Sequence, residues 1–128
     1  MGLSYAVRLA RLAGYDDALF VGERNLVTEG TSWNIALFDG DQVIWPQAPM
    51  LKGITMVLLQ LALSMNGTPW TLRPVDAAEM PLLAGAAAVN SVCPAQPIAG
   101  VDDIPFGNDG KLTDLLLDAW RSVPRDTL

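Results

Sequence analysis

A mixed α/β domain is the fold class this sequence predicts, and three observations carry the prediction. Short apolar runs of strand length come in clusters, separated by turn residues. One apolar stretch, Thr55 to Met65, is too long for a strand. A last stretch, Leu112 to Arg121, sorts its apolar and charged residues onto opposite sides at helical spacing.

In chain order, Leu3 to Ala13 reads as a short helix, with Leu9 and Leu12 on one side, Arg8 and Arg11 on another, and Gly14 as its stop. Ala18 to Val21 reads as a strand, and Leu26 to Thr28 as a second after the turn Gly22-Glu23-Arg24-Asn25. Trp33 to Phe38 and Gln42 to Trp45 flank Asp39-Gly40-Asp41, a hairpin signal that Pro46 and Pro49 close. The period then changes. Thr55 to Met65 is apolar on nearly every face and ends at Asn66-Gly67, which predicts a buried helix. Trp70 to Arg73 predicts a strand, and Asp76-Ala77-Ala78-Glu79 has capping-box spacing for a short helix running toward Leu83. Ala86 to Val89 predicts a strand, leaving Asn90 and Ser91 at its end, and Pro94, Pro97 and Pro105 mark irregular or edge structure. In the final helix Leu112, Leu115, Leu116, Ala119 and Trp120 share a face opposite Asp114, Asp118 and Arg121. No linker or repeat interrupts the 128 residues, so 1–128 reads as a single domain.

Composition narrows the functions. Fourteen acidic against eight basic residues give a formal charge of −6, which argues against a nucleic-acid partner or an anionic membrane surface. Histidine is absent. That removes Ser-His-Asp triads, Cys-His nucleophiles and His-ligated metals together. A single cysteine, Cys93, forms no intramolecular disulfide and reads as a small buried hydrophobe, compatible with the cytoplasm. Asp102-Asp103 reads as a loop rather than a metal site. The four tryptophans, Trp33, Trp45, Trp70 and Trp120, read as core or interface residues. Arg8 and Arg11 break the apolar run that a signal peptide would need, and the apolar stretch at Ile54 to Met65 falls short of the roughly twenty residues of a membrane span. A soluble, cytoplasmic protein is therefore expected.

Three places could carry chemistry. Leu51-Lys52-Gly53-Ile54-Thr55 is a glycine-bearing turn opening the apolar helix. With glycine at the cap, no side chain consumes the first N–H groups, and a phosphate suits them. Taken alone, these residues read first as a glycine cap on an ordinary core helix, and only second as a phosphate seat. Asn90-Ser91-Val92 ends an alanine-rich strand; it reads first as a turn, and second as a close-approach site where Ser91 meets an anion. Val27-Thr28-Glu29-Gly30-Thr31-Ser32-Trp33-Asn34 puts a carboxylate, a glycine and two hydroxyls between two apolar strands. Glu29 is there either solvated or held against a heterocyclic nitrogen that it keeps protonated. Spacing alone does not choose.

In order, these pieces resemble the C-terminal, cofactor-binding domain of the class IV, fold-type IV aminotransferases, which depend on pyridoxal phosphate (PLP). That family includes branched-chain aminotransferases, D-amino-acid aminotransferases and aminodeoxychorismate lyases. Ala13-Gly14-Tyr15-Asp16-Asp17-Ala18-Leu19-Phe20 is similar to the family's Gly-Tyr-Asp-Glu-Ala-Leu segment. Val27-Thr28-Glu29-Gly30 leads to Asn34-Ile35, and Leu51-Lys52-Gly53-Ile54-Thr55 stands where the family usually reads Leu-Pro-Gly-Ile-Thr. Asn90-Ser91 and Gln96-Pro97-Ile98 continue the match.

The resemblance implies a mixed sheet curled into a pseudo-barrel with flanking helices, and a homodimer. It implies that Glu29 meets the pyridine nitrogen and that Leu51 packs on the ring. Gly53, Ile54, Thr55 and Ser91 hold the phosphate, and the Val92 N–H lies where substrate carboxylates are held. Thr31, Ser32 and Tyr5 match positions near the cofactor. Lys52 and Lys111 are the only lysines, and neither matches the family's Schiff-base lysine, which lies upstream of the segment beginning here at Met1. The implied function is part of an enzyme for an amino acid and 2-keto acid pair, or for related lyase chemistry. The N-terminal domain and catalytic lysine are missing, so this chain alone is expected to be inactive. The alternative is a stand-alone, non-catalytic binding or dimerisation module that keeps the fold.

Overall fold

The computed structural model describes residues 19–21, 26–30, 33–47, 53–91, 94–98, 100–101, 104–106 and 110–123. The N-terminal helix expected at Leu3 to Ala13, and the expectations for Tyr5, Cys93 and Asp102-Asp103, fall outside them. The described strands are β1 (Leu19–Val21), β2 (Val27–Gly30), β3 (Asn34–Phe38), β4 (Val43–Pro46), β5 (Trp70–Arg73), β6 (Gly85–Val89), β7 (Gln96–Pro97), β8 (Gly100–Val101) and β9 (Ile104–Pro105). Helix α1 spans Ile54–Met65, helix α2 spans Lys111–Arg121, and a 3-10 helix covers Ala77–Leu82.

The β3–β4 turn forms where the sequence places it. Asp39 Oδ1 accepts from the N–H groups of Asp41 and Gln42, each at 2.8 Å, and Gly40 takes the positive φ of 104° that the turn requires. These two donors, Gln42 first and then Asp41, hold the Asp39 carboxyl below its usual pKa. Pro46 does not merely close the hairpin; it is the last residue of β4, paired with Arg73.

Strand β3 organises the sheet. All five of its residues pair with β6, from Asn34 opposite Val89 to Phe38 opposite Gly85. Its other edge is shared: β2 takes the Asn34 end and β4 the Phe38 end, both antiparallel. Strand β4 then pairs in parallel with β5. Just beyond β5, the Val27 N–H donates to the Val75 carbonyl at 2.8 Å and Leu26 bridges Asp76, so the path β3–β4–β5 returns to β2. The sheet thus curls back on itself.

Both faces of β3, β4 and β6 are buried, and the strand period of two assigns residues to them. Ile35, Leu37, Ile44 and Ala86 point into one core with Val27, Val75, Met80 and Phe106. Ala36, Phe38, Val43, Trp45, Ala87 and Val89 point into the other, against α1 and α2. This double burial is why the strands read as near-continuous apolar runs rather than alternating ones. Each fully buried Leu or Ile contributes on the order of 2 kcal/mol of transfer free energy.

The two helices differ. Helix α2 behaves as its pattern predicts: Leu112, Leu116 and Ala119 are buried, Leu115 and Trp120 pack at the edge of the same core, and Asp118 and Arg121 pair at 2.9 Å on the exposed side. Helix α1 was expected to be buried all round, and the structure corrects this. It buries Thr55, Met56, Leu59, Ala62 and Leu63 but leaves Ile54, Val57, Leu61 and Met65 exposed. Among the described residues the sheet and α2 reach only one side of α1, and its outer face is apolar and exposed. Its end is as the sequence indicates: Gly67 adopts φ 72°, its N–H bonds the Ser64 carbonyl and the Thr68 N–H bonds the Leu63 carbonyl, a Schellman stop.

The predicted capping box at Asp76 forms only in part. Asp76 Oδ1 accepts from the Ala78 N–H at 2.8 Å, while the Glu79 carboxylate turns to Arg73 at 2.9 Å. The short helix it opens is 3-10 and contains Pro81. No helix among the described residues is long and apolar enough to cross a membrane.

Candidate functional site

The three motifs singled out in the sequence arrive at one end of the sheet, and Asn34 is where they meet. Its backbone lies in β3 with Glu29 of β2 opposite on one edge and Val89 of β6 opposite on the other. Val89 is the residue before Asn90-Ser91, and Ser91 lies exposed in the bend that leaves β6. The Asn34 side chain closes the third side: its Oδ1 accepts from the Gly53 N–H at 2.9 Å. Residues 19 positions apart are thereby locked together, and Gly53 is the residue that opens α1.

The start of α1 is shaped for an anion. Gly53 is extended (φ −69°, ψ 153°), no side chain caps the helix, and the first turn holds no acid. The first intrahelical bond runs from the Val57 N–H to the Gly53 carbonyl at 3.2 Å. The Gly53 N–H is taken by Asn34, while the helix itself offers no acceptor to the N–H groups of Ile54, Thr55 and Met56. The dipole adds partial positive charge at the same point. Ile54 is exposed, whereas Thr55 is only 4% exposed. Asn34, also at 4%, and Thr55 are the buried polar side chains among the described residues, and both belong to this end of the sheet. Uncapped N–H donors, a buried hydroxyl-bearing residue and no competing carboxylate in the turn suit a phosphate group, so these residues fit a phosphorylated cofactor.

Gly53 has a steric reason to be glycine. A Cβ there would sit 2.9 Å from Asn34 Oδ1. Leu51, Lys52, Thr31, Ser32 and Val92 lie outside the described residues, and of Glu29 the structure describes the backbone. Lys111 is at the other end of β3: its Nζ stands 5.5 Å from the centre of the Phe38 ring and 3.5 Å from the Gly40 carbonyl. Four residue steps of strand, about 13 Å, separate Phe38 from Asn34. In the sequence Asn34 ends the candidate segment that carries Glu29 and opens the Asn34-Ile35 match, but no contact was expected of it. The signal for its contact was present, as one amide at the edge of a run of apolar residues that are buried on both faces.

The family comparison decides what kind of protein carries this arrangement. The Amino-transferase class IV family matches residues 1–101. The chain belongs to the class IV aminotransferase family. A search of curated proteins finds no match. Solved structures of class IV aminotransferases and related enzymes superpose closely. A proposed 4-amino-4-deoxychorismate lyase from Legionella pneumophila gives a TM-score of 0.88 at 23% identity, over 95% of this chain and 46% of that one. The branched-chain amino acid aminotransferase of Thermobaculum terrenum, in its PLP form, gives 0.82 at 29% identity over 94% of this chain and 41% of that one. The Escherichia coli branched-chain enzyme gives 0.86 at 17% identity, over 95% and 43% respectively. The chain spans less than half the length of these structures. Its curled mixed sheet with outer helices is the fold-type IV arrangement expected from the sequence.

Proposed function

We propose that this chain is the cofactor-binding part, a single domain, of a PLP-dependent class IV aminotransferase or lyase acting on an amino acid and 2-keto acid pair. The observation that carries the proposal is the convergence on Asn34 of β2 with Glu29, the end of β6 before Ser91, and the open start of α1. The structure of a 29% identical relative in its PLP form supports the choice of cofactor.

In this reading the N–H groups of Ile54 and Thr55 donate to the phosphate, with the Thr55 and Ser91 hydroxyls assisting. Gly53 shapes the approach rather than donating, because its N–H is already used. Leu51 packs on the ring, and the Val92 N–H faces the substrate carboxylate. Glu29 keeps the ring nitrogen protonated through a charge-assisted hydrogen bond. When bound, PLP supplies an electron sink for negative charge developing at the substrate α-carbon. The proton on that carbon needs a lysine amine as base; Lys111 sits with Phe38 at the opposite end of β3, and Lys52 stands in the phosphate-binding turn of the sequence rather than at the family's upstream lysine position. Residues 1–128 by themselves therefore bind cofactor without turning over. The apolar outer face of α1 supports a homodimer, since such a surface gains from being covered. A cytoplasmic location accords with the single cysteine.

Absorbance titration of the chain with PLP, then borohydride reduction and intact-mass measurement, tests this. The expected result is saturable binding without covalent mass gain, weakened roughly thirtyfold by Glu29→Ala, the equivalent of about 2 kcal/mol for a hydrogen bond to a charged group. A covalent adduct at Lys52 would overturn the non-covalent part of the proposal. No binding at all would leave a non-catalytic module with the family fold.

A further inference from the structure

We propose that Asn34 is a positioning residue for the cofactor site, setting the start of α1 at a fixed place relative to the strand that carries Glu29. This rests on the PLP reading above and adds a role for a residue that touches neither end of the cofactor in that reading. Three features carry it. Asn34 is mounted rigidly, because β2 and β6 pair with its backbone from both sides. Its side chain is almost fully buried although Gly53 itself is exposed, so the acceptor of the 2.9 Å bond from the Gly53 N–H is held inside the fold while the donor lies at the surface. Gly53 cannot carry a side chain without meeting that same oxygen, so loop and strand are fitted to each other at this point.

The geometry also explains why an amide stands here. An acceptor is needed to hold the Gly53 N–H, and a neutral one does so without adding negative charge beside donors meant for an anion. One side chain thus ties the donors of Ile54 and Thr55 to the backbone of β2. A site of this kind tolerates only small displacements, and a single buried contact to a rigid strand limits them.

The test compares the wild-type chain with Asn34→Leu, which removes the acceptor at similar size, Asn34→Asp, which keeps an acceptor oxygen, and Gly53→Ala, which forces the contact apart from the other side. Amide hydrogen exchange read by NMR reports the contact without any ligand. In Asn34→Leu the Gly53 amide is expected to exchange at least about tenfold faster, while Ala36 and Ala87 in β3 and β6 keep their wild-type protection. Asn34→Asp restores the protection. In parallel, affinities for PLP and for inorganic phosphate should fall about tenfold in Asn34→Leu and in Gly53→Ala. Unchanged Gly53 exchange in Asn34→Leu overturns the contact. Faster exchange with undiminished PLP affinity reduces Asn34 to a purely structural residue and overturns the positioning role. A wild-type chain that binds neither PLP nor phosphate sinks the cofactor reading, and the positioning role with it, while the exchange data still decide whether the contact holds the helix start.

Discussion

Two helix starts in this molecule meet the same need in opposite ways. The 3-10 helix at Ala77–Leu82 is capped from within: Asp76 accepts from Ala78 at 2.8 Å, and Glu79 places a carboxylate in the first turn, paired to Arg73. Helix α1 has neither a side-chain cap nor an acid in its first turn, and it is anchored by Asn34, 19 residues away in β3. The first start uses up its own electrostatic potential. The second is held in place from a distance, which leaves its next donors for something else. On the proposed function, the contrast separates a helix end that serves the fold from one that serves a ligand.

The sharpest way to break that contrast is Ile54→Pro. Proline is tolerated at the first helical position, and the extended Gly53 before it already has the backbone a preceding residue needs. The helix should therefore survive with one donor deleted. PLP affinity is expected to fall at least about tenfold, the equivalent of roughly 1.4 kcal/mol, with little change in melting temperature. Equal loss of affinity and of folding would show that the α1 start is structural after all. Calorimetric titration beside a thermal melt separates the two.

Asp76→Ala makes the opposite cut. Loss of the cap is expected to cost about 1 kcal/mol, lowering Tm by about 4 °C, with PLP affinity unchanged. A change in affinity would couple the two helix starts, through the backbone bridge from Asp76 to Leu26 beside the strand that carries Glu29.

The smallest effect concerns Asp39, at the end of β3 away from the site. Its folded pKa is lowered by the Gln42 and Asp41 N–H groups, so its contribution is present above the unfolded carboxylate value and is lost as pH falls through the lower folded one. The window opens at about pH 4 and extends downward. An NMR titration of the Asp39 carboxyl should give a midpoint below that of an unstructured aspartate. Asp39→Asn should remove this part of the acid sensitivity and leave PLP binding at neutral pH untouched. A midpoint at the ordinary value would mean that the two turn hydrogen bonds do not persist in solution.

Local signals were read where they are strongest. Asp39-Gly40-Asp41 marks the hairpin because its side chain and glycine meet the turn's demands within a few residues. Helix α2 is legible because water and core impose opposite demands on its two faces. The buried reading of α1 failed for the converse reason: an apolar pattern on every side says nothing of how many neighbours will arrive, and only one side found them. The parallel pairing of β4 with β5, and the return of the sheet to β2 through Val75 and Asp76, had no local signature. The site was legible as three separate motifs, each with an ordinary structural explanation of its own.

By itself, then, the sequence determined the mixed α/β class, most element positions and the ordered motifs that resemble the family, because turn chemistry, periodicity and residue type act over a few neighbours. Tertiary structure alone decided that those motifs share one end of a sheet, that Lys111 stands at the other, and that Asn34 holds Gly53. Strand register and one buried amide bring these residues together across long stretches of chain. Such pairings depend on the closed path of the whole sheet rather than on any local pattern.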